Sequence, residues 1–395
     1  MRICFLTPRF PFPPRKGDTL RVYQQIRALS AQHAIILVSL AEGPVSTADR
    51  EALAGLCEQV EVVPLGRARV VWNLAAGLLR REPLQVGYFR SGEVRRRLAR
   101  VLADGHIDVV HVSLIRMLPY AWDLGRPPVL VDLIDSLSLN LATRLHAGPA
   151  WQRWAYGLEL GRVRAYERAA VRRFPALVVS SPADRAALGE GRVEVIPNGV
   201  DVDRFTYYPP DGPEREPATL VFSGNMGYGP NEDAVLWFAA TVWPPLRAAW
   251  PALRWEIVGM RPGPRVRALA APESGIAVVG EVPDVTAYLR RATVAVCPMV
   301  SGSGIQNKVL EALAVGTPVV ATSIGNRGVQ AAPGTELLVA DTPEAFAAAV
   351  TGLLASPDAR ARLSRAGRAL IDRAFRWEQH AARLTSLYGT LLTAD

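Results

Sequence analysis

Cysteine is scarce in this chain of 395 residues: Cys4, Cys57 and Cys297 are the only three. No two of them form a C-x-x-C pair, so neither a zinc ribbon nor a disulfide framework is indicated. A reducing cytoplasm is the expected setting. Lysine is scarcer still, with only Lys16 and Lys308. Long hydrophobic runs are missing as well. VVWNLAAGLL (70–79) is about half of the roughly 20 residues that a spanning helix needs. The opening MRICFLTPRF meets Pro8 too soon to hold the apolar core of an export signal. The expectation is a cytoplasmic protein, or one resting on the inner face of a membrane.

Several nucleotide and metal signatures are absent. There is no G-x-x-x-x-G-K-[ST], which argues against P-loop chemistry. The stretch after the first strand, PRFPFPPRKGDTLR, has one glycine where a dinucleotide fingerprint needs three, so a dehydrogenase is disfavoured. DVD (201–203) has metal-pair spacing but follows IPNG at a domain linker, and reads as structural. No other His/Asp/Glu cluster has ligand spacing, so no metal and no cofactor are expected. No nucleic-acid recognition motif, internal repeat or low-complexity tract occurs.

What is present is a globular composition, 49% hydrophobic and 21% charged. The length suits two domains. The net charge of +8 is uneven: residues 1–195 hold 27 basic against 18 acidic side chains, residues 196–395 hold 18 against 19. The first half therefore favours an anionic partner. Its arginines at 66–100 and 151–174 are interleaved with aromatics such as Trp72 and Trp154. That pattern suits weak contact with an anionic membrane surface, and equally a solvated helix face with its rings turned inward.

Short β-branched runs recur every 25 to 35 residues: 2–7, 35–40, 60–65, 108–113, 129–134 and 176–181, then 219–224, 254–259, 276–280, 294–298 and 318–322. Apolar runs without alternation suit strands buried on both faces. Helix-period segments at 20–32, 93–103 and 231–249 lie between them. The alternation predicts an α/β chain of two Rossmann-like, doubly wound domains, with ligand at the carboxyl ends of strands in a cleft between them. The expected division is 1–195, a linker at 196–218 rich in Pro, Gly and charge, 219–375, and a final amphipathic helix at 376–395.

The most informative stretch is SGSGIQNKVLEALAVGTPVV (301–320). Its glycines, including Gly304, allow a ligand close to the backbone. A helix starting near Ile305 and Gln306 offers free N–H groups and a positive dipole end to an anion. Lys308 and Glu311, three apart, share a face. Lys308 can reach a phosphate oxygen, and Glu311 can accept from two vicinal ribose hydroxyls. Together these describe a nucleotide site. A salt bridge on a solvated helix face reads the same two residues differently.

PPRKGDTLR (13–21) is a second candidate: Gly17 follows a basic pair and opens a helix, although Asp18 or Thr19 could simply cap it. In VDLIDSLS (131–138), Asp135 stands just past a strand end. It could take a proton from an acceptor hydroxyl or serve as a turn cap. Asp132 and His111 read as structural.

VIPNGVDVDRF, FSGNMGYGPNEDAVLWF, GEVPDV and CPMVSGSGIQNKVLEALAVGTPVVAT together resemble the retaining GT-B glycosyltransferases of the family-4 type. Within it they resemble most closely the sugar transferases of bacterial exopolysaccharide systems. The resemblance covers nearly the whole chain. It implies a GT-B fold whose second domain binds a nucleotide-diphosphate sugar, with Gly224, Asn225, Ser303, Gly304, Ile305, Gln306, Lys308 and Glu311 on the donor. It also implies retention at the anomeric carbon, a saccharide or lipid-linked acceptor, and a last helix that returns to the first domain. The chain departs from the family pattern at three places. Ser303 replaces the first of two glutamates, residues 224–234 lack the usual Arg and Lys, and Ile134–Asp135 stand where a His is expected. Lys308 then doubles as the cation of the catalytic step, beside Asp135. The alternatives are a nucleotide-sugar epimerase of the same fold and a non-catalytic nucleotide-sugar-binding scaffold.

Overall fold

The computed structural model describes residues 1–393 except 67–69, 74–76, 78–79, 81, 145–149, 190 and 303. The chain divides into two compact units, Met1–Asn198 with Trp377–Asp395, and Gly199–Arg376.

In the first unit, seven strands form one parallel sheet: β1 (Arg2–Thr7), β2 (Ala34–Ala41), β3 (Gln59–Pro64), β4 (Val109–Ser113), β5 (Val129–Ile134), β6 (Ala176–Val179) and β7 (Val193–Val195). Their order is β3-β2-β1-β4-β5-β6-β7. Ile3 and Phe5 enter one core layer, and Cys4 and Leu6 the other, so a run without alternation fills both faces. Leu384 and Tyr388 of the last helix, Trp377–Thr393, belong to the Ile3 layer.

The second unit has six strands: β8 (Thr219–Ser223), β9 (Arg254–Val258), β10 (Ile276–Gly280), β11 (Val294–Cys297), β12 (Val319–Ala321) and β13 (Leu338–Val339). Their order is β10-β9-β8-β11-β12-β13, again all parallel. The expected helix at 231–249 is helical over Gly229–Ala249, with a wider π turn at Phe238–Val242. Pro244 and Pro245 have no N–H to give, which explains the change of winding just before them.

Each sheet reverses its winding at one point, between β1 and β4 in the first and between β8 and β11 in the second. The carboxyl ends of strands at such a point open a crevice where ligands bind in doubly wound folds.

The expected linker is a correction. Residues 199–218 pack on the second unit. Phe205 is buried in its core, and the Tyr208 amide donates to the Val315 carbonyl. Arg215 donates to the carbonyls of Leu289 and Ala292 and to Thr317 Oγ1. Pro and Gly mark the turns here, while the aromatics and Arg215 supply anchorage. Asp201 Oδ1 accepts the Arg204 amide at 3.2 Å, a turn contact.

Candidate functional site

The expected donor site lies where β8 and β11 diverge. β11 delivers the glycine loop to the helix Asn307–Val315. Gly302 and Gly304 have φ of 117° and 72°, the region that disfavours side chains. Among the described residues no side chain caps the helix, and its first turn carries no acid, so its positive end favours an anion. Gly304 and Ile305 lie so close to Gly328 that a Cβ there would approach them at 2.6 Å.

Lys308 is partly buried and turned toward β8. Its ammonium donates to Asn231 Oδ1 at 2.7 Å and to Gln306 Oε1 at 3.4 Å, 4.8 Å from the Phe222 ring centre. Asn231 in turn donates to the Asn225 carbonyl at 2.9 Å. The helix is thus tied to the loop after β8. Gly224 is required in that loop, since a Cβ would meet Asn231 Nδ2 at 2.9 Å and Lys308 Cε at 3.3 Å. From the β9 side, Gly259 (φ 143°) approaches so closely that its Cβ would fall 1.8 Å from the Gly224 carbonyl oxygen.

The salt-bridge reading of Lys308 and Glu311 is not what forms. Among the described residues Glu311 has no hydrogen bond or ion pair, and Lys308 bonds to Asn231 instead. Burial raises the Glu311 carboxyl, opposed by Arg204 and Lys308. Burial lowers the Lys308 ammonium, opposed by Cys297 and Glu311. Among the described residues Glu311 thus has no hydrogen-bonding partner one turn below the helix start, although the charges of Arg204 and Lys308 act on it. Gly224, Asn225, Gly304, Ile305, Gln306, Lys308 and Glu311 all assemble in this unit. Ser303 lies outside the described residues. Asn231, Gly259 and Arg204 were not anticipated.

Gly17 and Asp135 belong to the first unit. Gly17 opens the helix Gly17–Leu29, with open space where a Cβ would stand, so local packing does not demand glycine. Asp135 follows Ile134, whose φ of 67° turns the chain sharply out of β5. Asp135 accepts no backbone N–H among the described residues; Ser136 Oγ accepts the Leu139 amide and so caps the next helix, while Asp184 receives the Ser136 amide. Burial, then the Asp184 charge, push the Asp135 carboxyl up to about 7, with Arg116 opposing. Arg116 bonds Gln85 Oε1 at 2.8 Å and lies 5.3 Å from the Phe89 ring centre.

Asp132 and His111 hold the unit together. Asp132 Oδ2 accepts Arg21 Nε at 2.8 Å and Gln25 Nε2 at 2.7 Å. Burial alone would raise this carboxyl, but the Arg21 charge brings it below its usual value. His111 stacks on Phe5, and its Nδ1 is 2.6 Å from Tyr388 Oη; burial lowers its pKa to about 4. Among the described residues no three His, Cys, Asp or Glu side chains are grouped to hold a metal ion.

Two family patterns match the chain in sequence: Glycosyltransferase Family 4 over residues 17–204, and Glycosyl transferases group 1 over residues 217–356. A phosphatidyl-myo-inositol mannosyltransferase of Mycolicibacterium smegmatis is 27% identical over 305 residues, 75% of this chain and 74% of that protein. In structure, the chain is similar to sucrose-phosphate synthase from Thermosynechococcus elongatus, with a TM-score of 0.72, 18% identity and full coverage of both chains. It is also similar to HepE of Anabaena solved with UDP and glucose, at a TM-score of 0.69 and 14% identity, covering 99% of this chain and 100% of that one. The epimerase alternative finds no support among these proteins. Two doubly wound parallel sheets and the matches over both halves agree: the chain is a glycosyltransferase of the GT-B fold.

Proposed function

We propose that the chain moves a hexose-type sugar, with retention, from a nucleotide-diphosphate sugar to a hydroxyl of a saccharide or lipid-linked acceptor in cell-surface polysaccharide biosynthesis. The observation that carries the donor assignment is the Glu311 carboxyl, without a hydrogen bond or ion pair among the described residues, one turn below the helix start that bears Lys308. Glu311 accepts from the two ribose hydroxyls. Lys308 and the first-turn amides neutralise the departing diphosphate, which supplies electrostatic stabilisation without a metal ion. Asn231 holds the ammonium in place. Asp135 is the acceptor-side base, since a carboxyl raised to about 7 can carry or release a proton near neutrality.

A lipid-linked acceptor is supported by the name of the mycobacterial relative, which for that protein specifies a phosphatidylinositol acceptor. It is also supported by exposed apolar side chains in the basic first unit, Val71, Trp72, Trp154 and Leu158. No helix among the described residues is long and apolar enough to cross a membrane, so contact would be peripheral.

Titration calorimetry with a panel of nucleotide sugars tests the donor assignment. Glu311→Ala and Lys308→Ala should each weaken binding by about 1–3 kcal/mol, the scale of a lost charged hydrogen bond. Unchanged affinity in both variants refutes the site.

A further inference from the structure

The first unit contains a cavity of about 440 Å³ that neither the donor chemistry nor Asp135 uses. Its wall is formed by Trp72, Asn73, Arg80, Arg90 and Arg95, with Ser91, Gly92 and Tyr120 beside them. Among the described residues three arginines and no carboxylate line it. The volume falls within the range typical of small-molecule sites, roughly 300–1,000 Å³.

The charges are not equivalent. Arg90 is neutralised by Glu82, which receives its Nε at 2.9 Å and its Nη2 as well. Arg80 and Arg95 are exposed and have no carboxylate partner among the described residues; Arg95 reaches only the Pro119 carbonyl, at 3.5 Å. Two cations are therefore left for something outside the unit. Beside them Trp72 is 74% exposed. An exposed indole offers an apolar face on which a sugar ring can stack.

The floor is fixed. Tyr120 Oη accepts the Ser91 amide at 2.6 Å and donates to the Phe89 carbonyl at 2.6 Å. Asn73 Nδ2 donates to the Arg90 carbonyl at 2.6 Å, which ties the Trp72 segment to the same floor. Ser91 and Gly92 begin the helix Gly92–Asp104, which runs between β3 and β4, and Tyr120 ends the 3₁₀ turn that follows β4. Both therefore lie at the carboxyl edge of the sheet, where this architecture binds its ligands.

We infer that this cavity is a subsite for a phosphorylated saccharide, taking the phosphate against Arg80 and Arg95 and the sugar ring on Trp72. The inference rests on the reading of the chain as a transferase to a saccharide or lipid-linked acceptor. It adds that the acceptor carries a phosphate near the sugar that is recognised. Arginine suits the task because its planar donors match phosphate oxygens in pairs.

Saturation-transfer NMR on the full chain tests it, with glucose 1-phosphate and glucose as probes. Glucose 1-phosphate should receive saturation on its ring protons and glucose far less. Arg95→Gln should weaken the sugar phosphate roughly tenfold, as expected for one lost charged hydrogen bond. Trp72→Ala should remove most of the ring signal. Equal signals from the two probes overturn the inference. So does a signal lost in Lys308→Gln but kept in Arg95→Gln, which puts the probe in the second unit. A third contrary result is sedimentation with phosphatidylglycerol vesicles that Arg95→Gln abolishes while glucose 1-phosphate stays silent, because the arginines then read a lipid headgroup. Nucleotide-sugar titration of the wild type separates the two levels. A silent sugar phosphate with intact nucleotide-sugar binding ends this inference alone, whereas failure of every nucleotide sugar to bind ends the proposed function.

Discussion

Replacing Asp135 by asparagine should stabilise the protein at alkaline pH and impair it as an enzyme. Burial, and next the Asp184 charge, lift this carboxyl from 3.8 to about 7, against the pull of Arg116. Between those two values the folded chain keeps a proton that the unfolded chain has released. The unfolded state then binds fewer protons, so stability falls as pH rises through this window and stays low above it. The span corresponds to a ceiling of about 4 kcal/mol. Asparagine keeps the shape and never ionises. Asp135→Asn should therefore change little near pH 4 and gain up to about 4 kcal/mol near pH 8, with each kcal/mol raising the Tm of the first unit, Met1–Asn198 with Trp377–Asp395, by about 2–4 °C. Urea unfolding of wild type and variant at the two pH values measures it. An equal gain at both, or none in alkali, refutes the assigned cause. The same variant should lose turnover more than donor affinity, because the amide cannot accept the proton. In the wild type, kcat should rise with pH through about 7 as the base is freed.

Three further outcomes are expected. Arg21→Met leaves Asp132 buried without its cation and should cost about 3–5 kcal/mol in denaturant unfolding; a loss below about 1 kcal/mol would make that pair dispensable. Transfer activity should survive EDTA, and abolition by chelator with rescue by manganese would return Asp201 and Asp203 to candidacy. Co-sedimentation should show weak, salt-sensitive binding to anionic vesicles through Trp72 and Trp154. Equal partitioning to neutral vesicles rules out an electrostatic surface contact.

The sheets were legible because buried parallel strands are written as uninterrupted β-branched runs. β7 and β13 escaped notice because three and two residues are too few to make such a run. The 199–218 segment misled because its prolines and glycines signal turns, and turns occur in anchored chain as readily as in free linkers. Phe205 and Arg215 were the signs of anchorage, but their partners are remote in sequence. The donor site divides the same way. Lys308 and Glu311 stand out through local spacing behind glycines. Asn231 and Gly259 matter only because three strand ends meet, and no local pattern encodes a contact spanning 77 residues such as Lys308 with Asn231. Asp135 was located by its place after a strand. Its raised pKa depends first on burial and then on Asp184 and Arg116, all of which only the fold supplies.

The chain leaves the first unit after Asn198 and returns to it at Trp377, and just inside those two points Val200 and Arg376 pair in a parallel bridge. The Val200 amide donates to the Phe375 carbonyl at 2.7 Å. Topologically the second unit is thus an insertion whose two ends are stitched together. Units with adjacent ends can be cut out or exchanged at little conformational expense. A lineage of such enzymes could replace everything between those two points as one piece, while the unit that carries the arginine-rich surface stayed as it was.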